Sequence, residues 1–305
     1  MRATHLIMAA AAAIIGVSAG SGRTGVYGAS PSGVVLLQQG PKWTPASRAA
    51  FYTTGQGSEI MPLAWARALT TAEGAPFLGD RLARYGYLAG DPAAELPVGF
   101  TGDRRGGTAY LGMTCAACHT REIRVGGAAY RIDGGPALSD FQSFLGDLDS
   151  AVGRVLADDA AFRSFADRVL GAPSTPPARD ALRQRVDAWY RRQHTLFSRA
   201  LPATPWGVGR LDAVSMILNR VSGLDIGTSA DGIIASNIFV ADAPVRYPFI
   251  WDAPRQDRTQ WPGFASNGDS LLAIARNLGE VYGVFAEFHP VRSSGVVGAQ
   301  AGAGL

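Results

Sequence analysis

A chain of 305 residues with 47% hydrophobic content is long enough to bury a sizeable core, which excludes a disordered protein and allows one large domain or two modest ones. The formal net charge is +3, but acidic and basic residues are interleaved with no run of like charges, so nucleic acid is not an expected partner. Nearly all the basic residues are arginine, a compositional habit before it is a function.

At the N-terminus Arg2 precedes an apolar stretch from Leu6 to Val17 and the small residues Val17-Ser18-Ala19. This pattern predicts a secretory signal peptide over residues 1–19, cleaved after Ala19, because the apolar stretch is shorter than the roughly 20 residues a spanning helix needs. The expected mature protein has no transmembrane anchor and is periplasmic or secreted. Residues 20–42, rich in Gly, Ser and Ala, read as a flexible leader, and the folded domain is expected over 43–292.

From Phe51 to Leu88 the chain reads as helix, loop, helix, with Met61, Trp65 and Leu69 at helical spacing. Glycines and prolines then mark a loop as far as Gly112, and Gly126-Gly127 and Asp133-Gly134-Gly135-Pro136 mark turns. Three helical patterns follow: Phe141, Phe144, Leu145, Leu148 and Val152; Phe162, Phe165, Val169 and Leu170 before Gly171; and Leu182, Val186, Trp189, Tyr190, His194, Phe197 and Leu201. Residues 206–264 read as ordered loops with short helices, Leu271, Ile274, Leu278, Val281 and Phe285 as a last helix, and 293–305 as an unstructured tail. No strand-like alternation is apparent, so the expected fold class is mainly α with long ordered loops.

Cys115-Ala116-Ala117-Cys118-His119 is a C-x-x-C-H run, the attachment pattern of a c-type haem. Two thiols about one turn apart reach the two vinyl groups, and the adjacent histidine becomes the proximal iron ligand. A dithiol redox pair, half of a zinc site and a structural disulfide are the competing readings. Zinc wants four protein ligands where only four histidines exist, one of them His5 in the signal peptide, and no βαβ pattern accompanies a redox pair. One haem c per chain is therefore expected, held by Cys115 and Cys118 and ligated by His119. Tyr110, Phe141 and Phe144 suit an apolar haem pocket or ordinary core, and Arg121, Arg124 and Arg131 suit propionates or solvent.

The sixth iron ligand separates an electron carrier from an oxygen- or peroxide-binding haem. Met61, Met113, Met216, His194 and His289 are the candidates; His194, beside Tyr190 and Phe197 on the apolar side of its helix, reads rather as a core histidine.

Several blocks of sequence carry a resemblance. They are Gly57-Ser58-Glu59-Ile60-Met61-Pro62-Leu63-Ala64-Trp65, Leu96-Pro97-Val98-Gly99-Phe100, Leu111-Gly112-Met113-Thr114 and Arg131-Ile132-Asp133-Gly134-Gly135-Pro136-Ala137. Pro205-Trp206-Gly207-Val208-Gly209-Arg210-Leu211-Asp212-Ala213, Ala241-Asp242-Ala243-Pro244, Tyr247-Pro248-Phe249-Ile250-Trp251-Asp252 and Arg276-Asn277-Leu278-Gly279-Glu280-Val281 continue it. Together, from about Phe51 to Phe285, they resemble the dihaem cytochromes related to bacterial rubber oxygenase, a family itself similar to dihaem cytochrome c peroxidases. The resemblance implies a cytochrome c-like helical haem domain in which Cys115, Cys118 and His119 hold the N-terminal haem with its other face open to oxygen. It also suggests Trp251 or Trp261 on an electron path between haems. The second C-x-x-C-H of that family lies beyond Leu305, so a single haem and a truncated product are expected.

The expected function is that of an exported c-type cytochrome with one covalent haem, working in electron transfer with a redox partner protein or a small-molecule oxidant. The alternative is a haem-dependent oxidoreductase of dioxygenase or peroxidase type. An incomplete domain with an exposed former interface is a third reading.

Overall fold

The computed structural model describes residues 28–29, 33–259, 265–267, 270–286, 289–293 and 296–300. The expected signal peptide, Trp261 and the end of the tail lie outside the described residues.

The order of elements begins β1 (Gly28–Ala29), β2 (Val34–Leu36), α1 (Pro45–Thr53), β3 (Met61–Pro62), α2 (Leu63–Ala68), β4 (Phe100–Thr101), β5 (Arg104–Arg105) and β6 (Thr108–Met113). The short helix α3 (Cys115–Cys118) leads into β7 (Thr120–Val125) and β8 (Ala128–Asp133). Helices α4 (Phe141–Ala157), α5 (Asp159–Leu170) and α6 (Pro176–Ala200) follow, then β9 (Arg210–Leu211), α7 (Ala213–Gly223) and β10 (Val245–Arg246). The chain continues through β11 (Arg258–Thr259), β12 (Ala265–Ser266), α8 (Ser270–Gly283), β13 (His289–Ser293) and β14 (Val296–Gln300).

The periodic segments fold as helices for the reasons their sequences give. Asp140 caps α4 by accepting from the Ser143 N–H at 3.0 Å, and Phe141, Phe144, Leu145, Leu148 and Val152 are buried along one face. Asp158 caps α5 in the same way, and Pro176 opens α6 at a position where a missing N–H costs nothing. Phe144, fully buried, sits among the rings of Phe77, Tyr85, Tyr87, Phe100 and Phe141 at centroid separations of 5.6–6.4 Å. Phe141 and Phe144 are therefore core residues.

The expectation of a mainly α, cytochrome c-like helical domain is overturned, because the molecule is a mixed α/β structure. One four-stranded sheet has the order β1-β2-β8-β7, with β2 parallel to β8 and the other pairs antiparallel. A second is built on β6, which pairs with β3, β4 and β5. β2 lies within the span read as a flexible leader, and the β13–β14 hairpin runs into the span read as an unstructured tail.

The sheets escape sequence reading for physical reasons. On β8 the buried positions alternate as Ala129, Arg131 and Asp133, so the inward face is polar and the apolar-in, polar-out signal is inverted. Gly126 and Gly127, at φ +57° and +83°, supply the tight turn that joins β7 to β8. Met61 belongs to a strand paired with Leu111, not to a helix, since the following proline drives it into extended backbone.

Candidate haem-attachment site

The motif occupies one turn of helix between two sheets. Thr114 caps it, its side chain accepting from the Ala116 N–H at 3.2 Å, while its hydroxyl bonds the Phe51 carbonyl at 3.3 Å and its N–H the Gly99 carbonyl at 2.8 Å. Gly99 has φ +80°, and a Cβ there would lie 2.0 Å from the Ala117 nitrogen, so only glycine lets this loop support the turn. Cys115 and Cys118 are free and half-buried, and the Gln56 side-chain amide donates to Cys115 Sγ at 3.3 Å.

His119 closes the turn, its N–H bonded to the Cys115 carbonyl at 2.9 Å. Its Nδ1 lies 2.8 Å from the Pro248 carbonyl oxygen, 129 residues away in sequence. A carbonyl can only accept, so Nδ1 carries the proton and Nε2 keeps its lone pair. Metal-ligating histidines are held in this way by a second partner that fixes ring and tautomer. Burial holds the imidazole below its usual pKa, with the Pro248 contact opposing, which favours the neutral, ligating form.

The Pro248 carbonyl is part of a loop pinned to the exit of the motif. Gly134 donates to the His119 carbonyl at 2.7 Å and accepts from the Ile250 N–H at 3.0 Å, while the Trp251 indole N–H reaches the Asp133 carbonyl at 2.7 Å. The Tyr247 ring lies 6.3 Å from the His119 ring.

The thiol environment distinguishes the competing readings. Burial pushes Cys118 up to about 12 and raises Cys115 as well, the opposite of the lowered pKa that a dithiol redox pair needs. Among the described residues no three His, Cys, Asp or Glu side chains gather as a metal site. The Tyr87 and Tyr247 phenols are buried, both border Cys118, and both interact with the Ser139 hydroxyl. Two protonated thiols on one turn and a histidine on the next residue whose Nε2 keeps its lone pair fit a covalently held haem c.

No family model matches the chain, and no solved structure matches it. The chain is 32% identical over 291 residues to the "Uncharacterized protein y4iJ" of Sinorhizobium fredii, a match that covers 85% of this chain and 46% of that protein. The chain thus spans about half the length of the curated relative it matches.

The other residues singled out in the sequence fall elsewhere. Met61, Met113 and Met216 are buried in the hydrophobic core. His194 corrects the core reading: its ring is about half exposed, stacks on Tyr190 and pairs through Nδ1 with Asp149 at 2.8 Å. His289 lies in β13, and its side chain is outside the described residues. Arg131 is buried against Glu122 at 3.1 Å, Arg121 makes a 3.4 Å contact to the Pro136 carbonyl, and Arg124 is exposed. Tyr110 sits under the Arg105 guanidinium. Trp251 is partly exposed, stacked on Phe249. Pro248 and Gly99 went unread as site residues, because a backbone carbonyl or a close backbone approach leaves no side-chain signature, and Gln56 because a single amide 59 residues from Cys115 has no motif spacing to it.

Among the described residues no helix is long and apolar enough to cross a membrane.

Proposed function

We propose that the protein is an exported c-type haem protein that works in electron transfer, with one haem bound through Cys115 and Cys118 and ligated by His119. The observation that carries this reading is the 2.8 Å contact from His119 Nδ1 to the Pro248 carbonyl, which frees Nε2 beside the two thiols. When bound, haem iron supplies one-electron exchange and, at an open coordination position, binding of oxygen or peroxide. The chain's own residues hold, orient and shield: the cysteines fix the group, Pro248 sets the imidazole, and the Thr114 and Gly99 contacts keep the turn in place.

A second reading, a haem oxidoreductase acting on oxygen or peroxide, is favoured by the fate of four of the five sixth-ligand candidates, the His289 side chain lying outside the described residues. Met61, Met113 and Met216 are used by the core, and His194 by Asp149 on the surface.

The test is expression with a haem-attachment system, followed by denaturation and an optical haem assay. Absorbance that stays with the denatured wild-type chain, and is lost in Cys118→Ser, is the expected result; a wild-type chain that releases all its haem, or binds none, overturns the proposal. Carbon monoxide then separates the two readings, since only an iron with an open face responds.

A further inference from the structure

His119 takes its acceptor from a loop that chain connectivity does nothing to place. Among the described residues three hydrogen bonds to other segments hold that loop: the Tyr247 N–H to the Gly209 carbonyl at 3.2 Å, the Ile250 N–H to the Gly134 carbonyl at 3.0 Å, and the Trp251 indole N–H to the Asp133 carbonyl at 2.7 Å, shared with Gln39 Oε1 at 2.8 Å. The first two are main-chain bonds. The third is made by a side chain, so beside the buried Tyr247 ring it is the hydrogen bond of the three that a particular residue determines.

We propose that Trp251 is a positioning residue for His119, its indole N–H anchoring on Asp133 the loop whose Pro248 carbonyl selects the ligating tautomer. Three observations carry this. Trp251 is 41% exposed, so its N–H bond, more than its burial, is what fixes it. A Cβ at position 134 would lie 2.7 Å from the indole nitrogen, so the bond forms only because Gly134 stands there. The anchor is itself rigid, since the Asp133 carboxylate accepts from Trp43 at 2.8 Å, Arg48 at 2.6 Å and Tyr52 at 2.5 Å. The same turn also holds the His119 carbonyl through Gly134, so loop and ligand share one support.

A histidine that loses its Nδ1 acceptor becomes a less basic ligand and stabilises ferric iron less. The loaded-protein readout rests on the haem reading; the tautomer readout does not. The experiment compares full-length wild type, Trp251→Phe and Phe249→Leu, the last removing the stacking partner while leaving the N–H. In haem-loaded protein poised at the wild-type midpoint, Trp251→Phe is expected to keep covalent haem at wild-type stoichiometry and to shift the ferric-to-ferrous ratio at least threefold toward ferrous. Phe249→Leu is expected to leave the ratio within experimental error. A Trp251→Phe ratio equal to wild type, or an equal shift in Phe249→Leu, overturns the proposal.

Nitrogen NMR of the full chain made without haem reads the His119 tautomer directly. A wild-type Nδ1–H form that gives way to Nε2–H in Trp251→Phe supports the proposal, and an unchanged tautomer overturns it. If the wild type carries no covalent haem, the haem reading fails alone and this measurement still decides. Should Trp251→Phe not fold, Gln39→Ala, which removes the indole's second acceptor, is expected to shift both readouts in the same direction by a smaller factor, and no shift overturns the proposal.

Discussion

Asp133 is a carboxylate taken almost wholly out of water, and the fold tolerates it because three donors meet it: the Trp43 indole, the Arg48 guanidinium and the Tyr52 hydroxyl. Desolvation is the largest influence on Tyr52, and together with the adjacent carboxylate it pushes the phenol well above its ordinary range, so the hydroxyl stays a donor at every physiological pH. Arg48 is equally committed, since it is buried and pairs with Asp133 at 2.6 Å. Exchanging Asp133 for asparagine keeps the shape but removes the charge and turns an N–H₂ toward one of those donors. A buried ion pair broken on one side costs about 3–5 kcal/mol, so Asp133→Asn is expected to destabilise by about 3 kcal/mol in denaturant melts. A loss below about 1 kcal/mol would mean that Arg48 finds water and that the cluster is not an anchor.

Among the elements, the α3 turn depends most on its neighbour. The Gly99 loop touches the Ala116–Ala117 backbone so closely that a side chain at 99 must push the motif away, and its φ of +80° adds the cost of a left-handed conformation. Gly99→Ala is expected to cost about 3 kcal/mol from overpacking and strain together, and to lower the yield of covalently loaded protein. Normal yield and normal stability would show that the loop is not part of the site. Helix α4 was legible because Phe141, Phe144, Leu145, Leu148 and Val152 recur at helical spacing over about three turns. The strands were not, because most span two or three residues and because β8 buries Arg131 and Asp133 where the reading looks for apolar side chains. The motif itself was legible as five consecutive residues, yet Pro248 was not, since nothing about residue 248 announces a contact with residue 119.

At the scale of the whole molecule, the candidate site joins three segments distant in sequence: the Gly99 loop, the turn from Cys115 to His119, and the Tyr247–Trp251 loop. The motif turn is the middle of the three: the Thr114 N–H at its start bonds Gly99, the His119 ring at its end meets Pro248, and Gly134 just past it accepts from Ile250. A group bonded to both cysteines and to His119 Nε2 would therefore stabilise the loop at 247–251 without touching it, because an imidazole held by iron cannot leave the Pro248 carbonyl freely. Segments that open by local unfolding are cut by proteases in proportion to the population of the open form. Limited proteolysis of haem-loaded protein and of the double variant Cys115→Ser, Cys118→Ser is thus expected to differ in one region above all. Cleavage within residues 242–257 should be several-fold faster in the variant, while cleavage within α6, whose buried face packs on α4 and α5, should change little. Equal rates at 242–257 would separate the loop from the haem and leave the contact between His119 and Pro248 as a feature of packing alone.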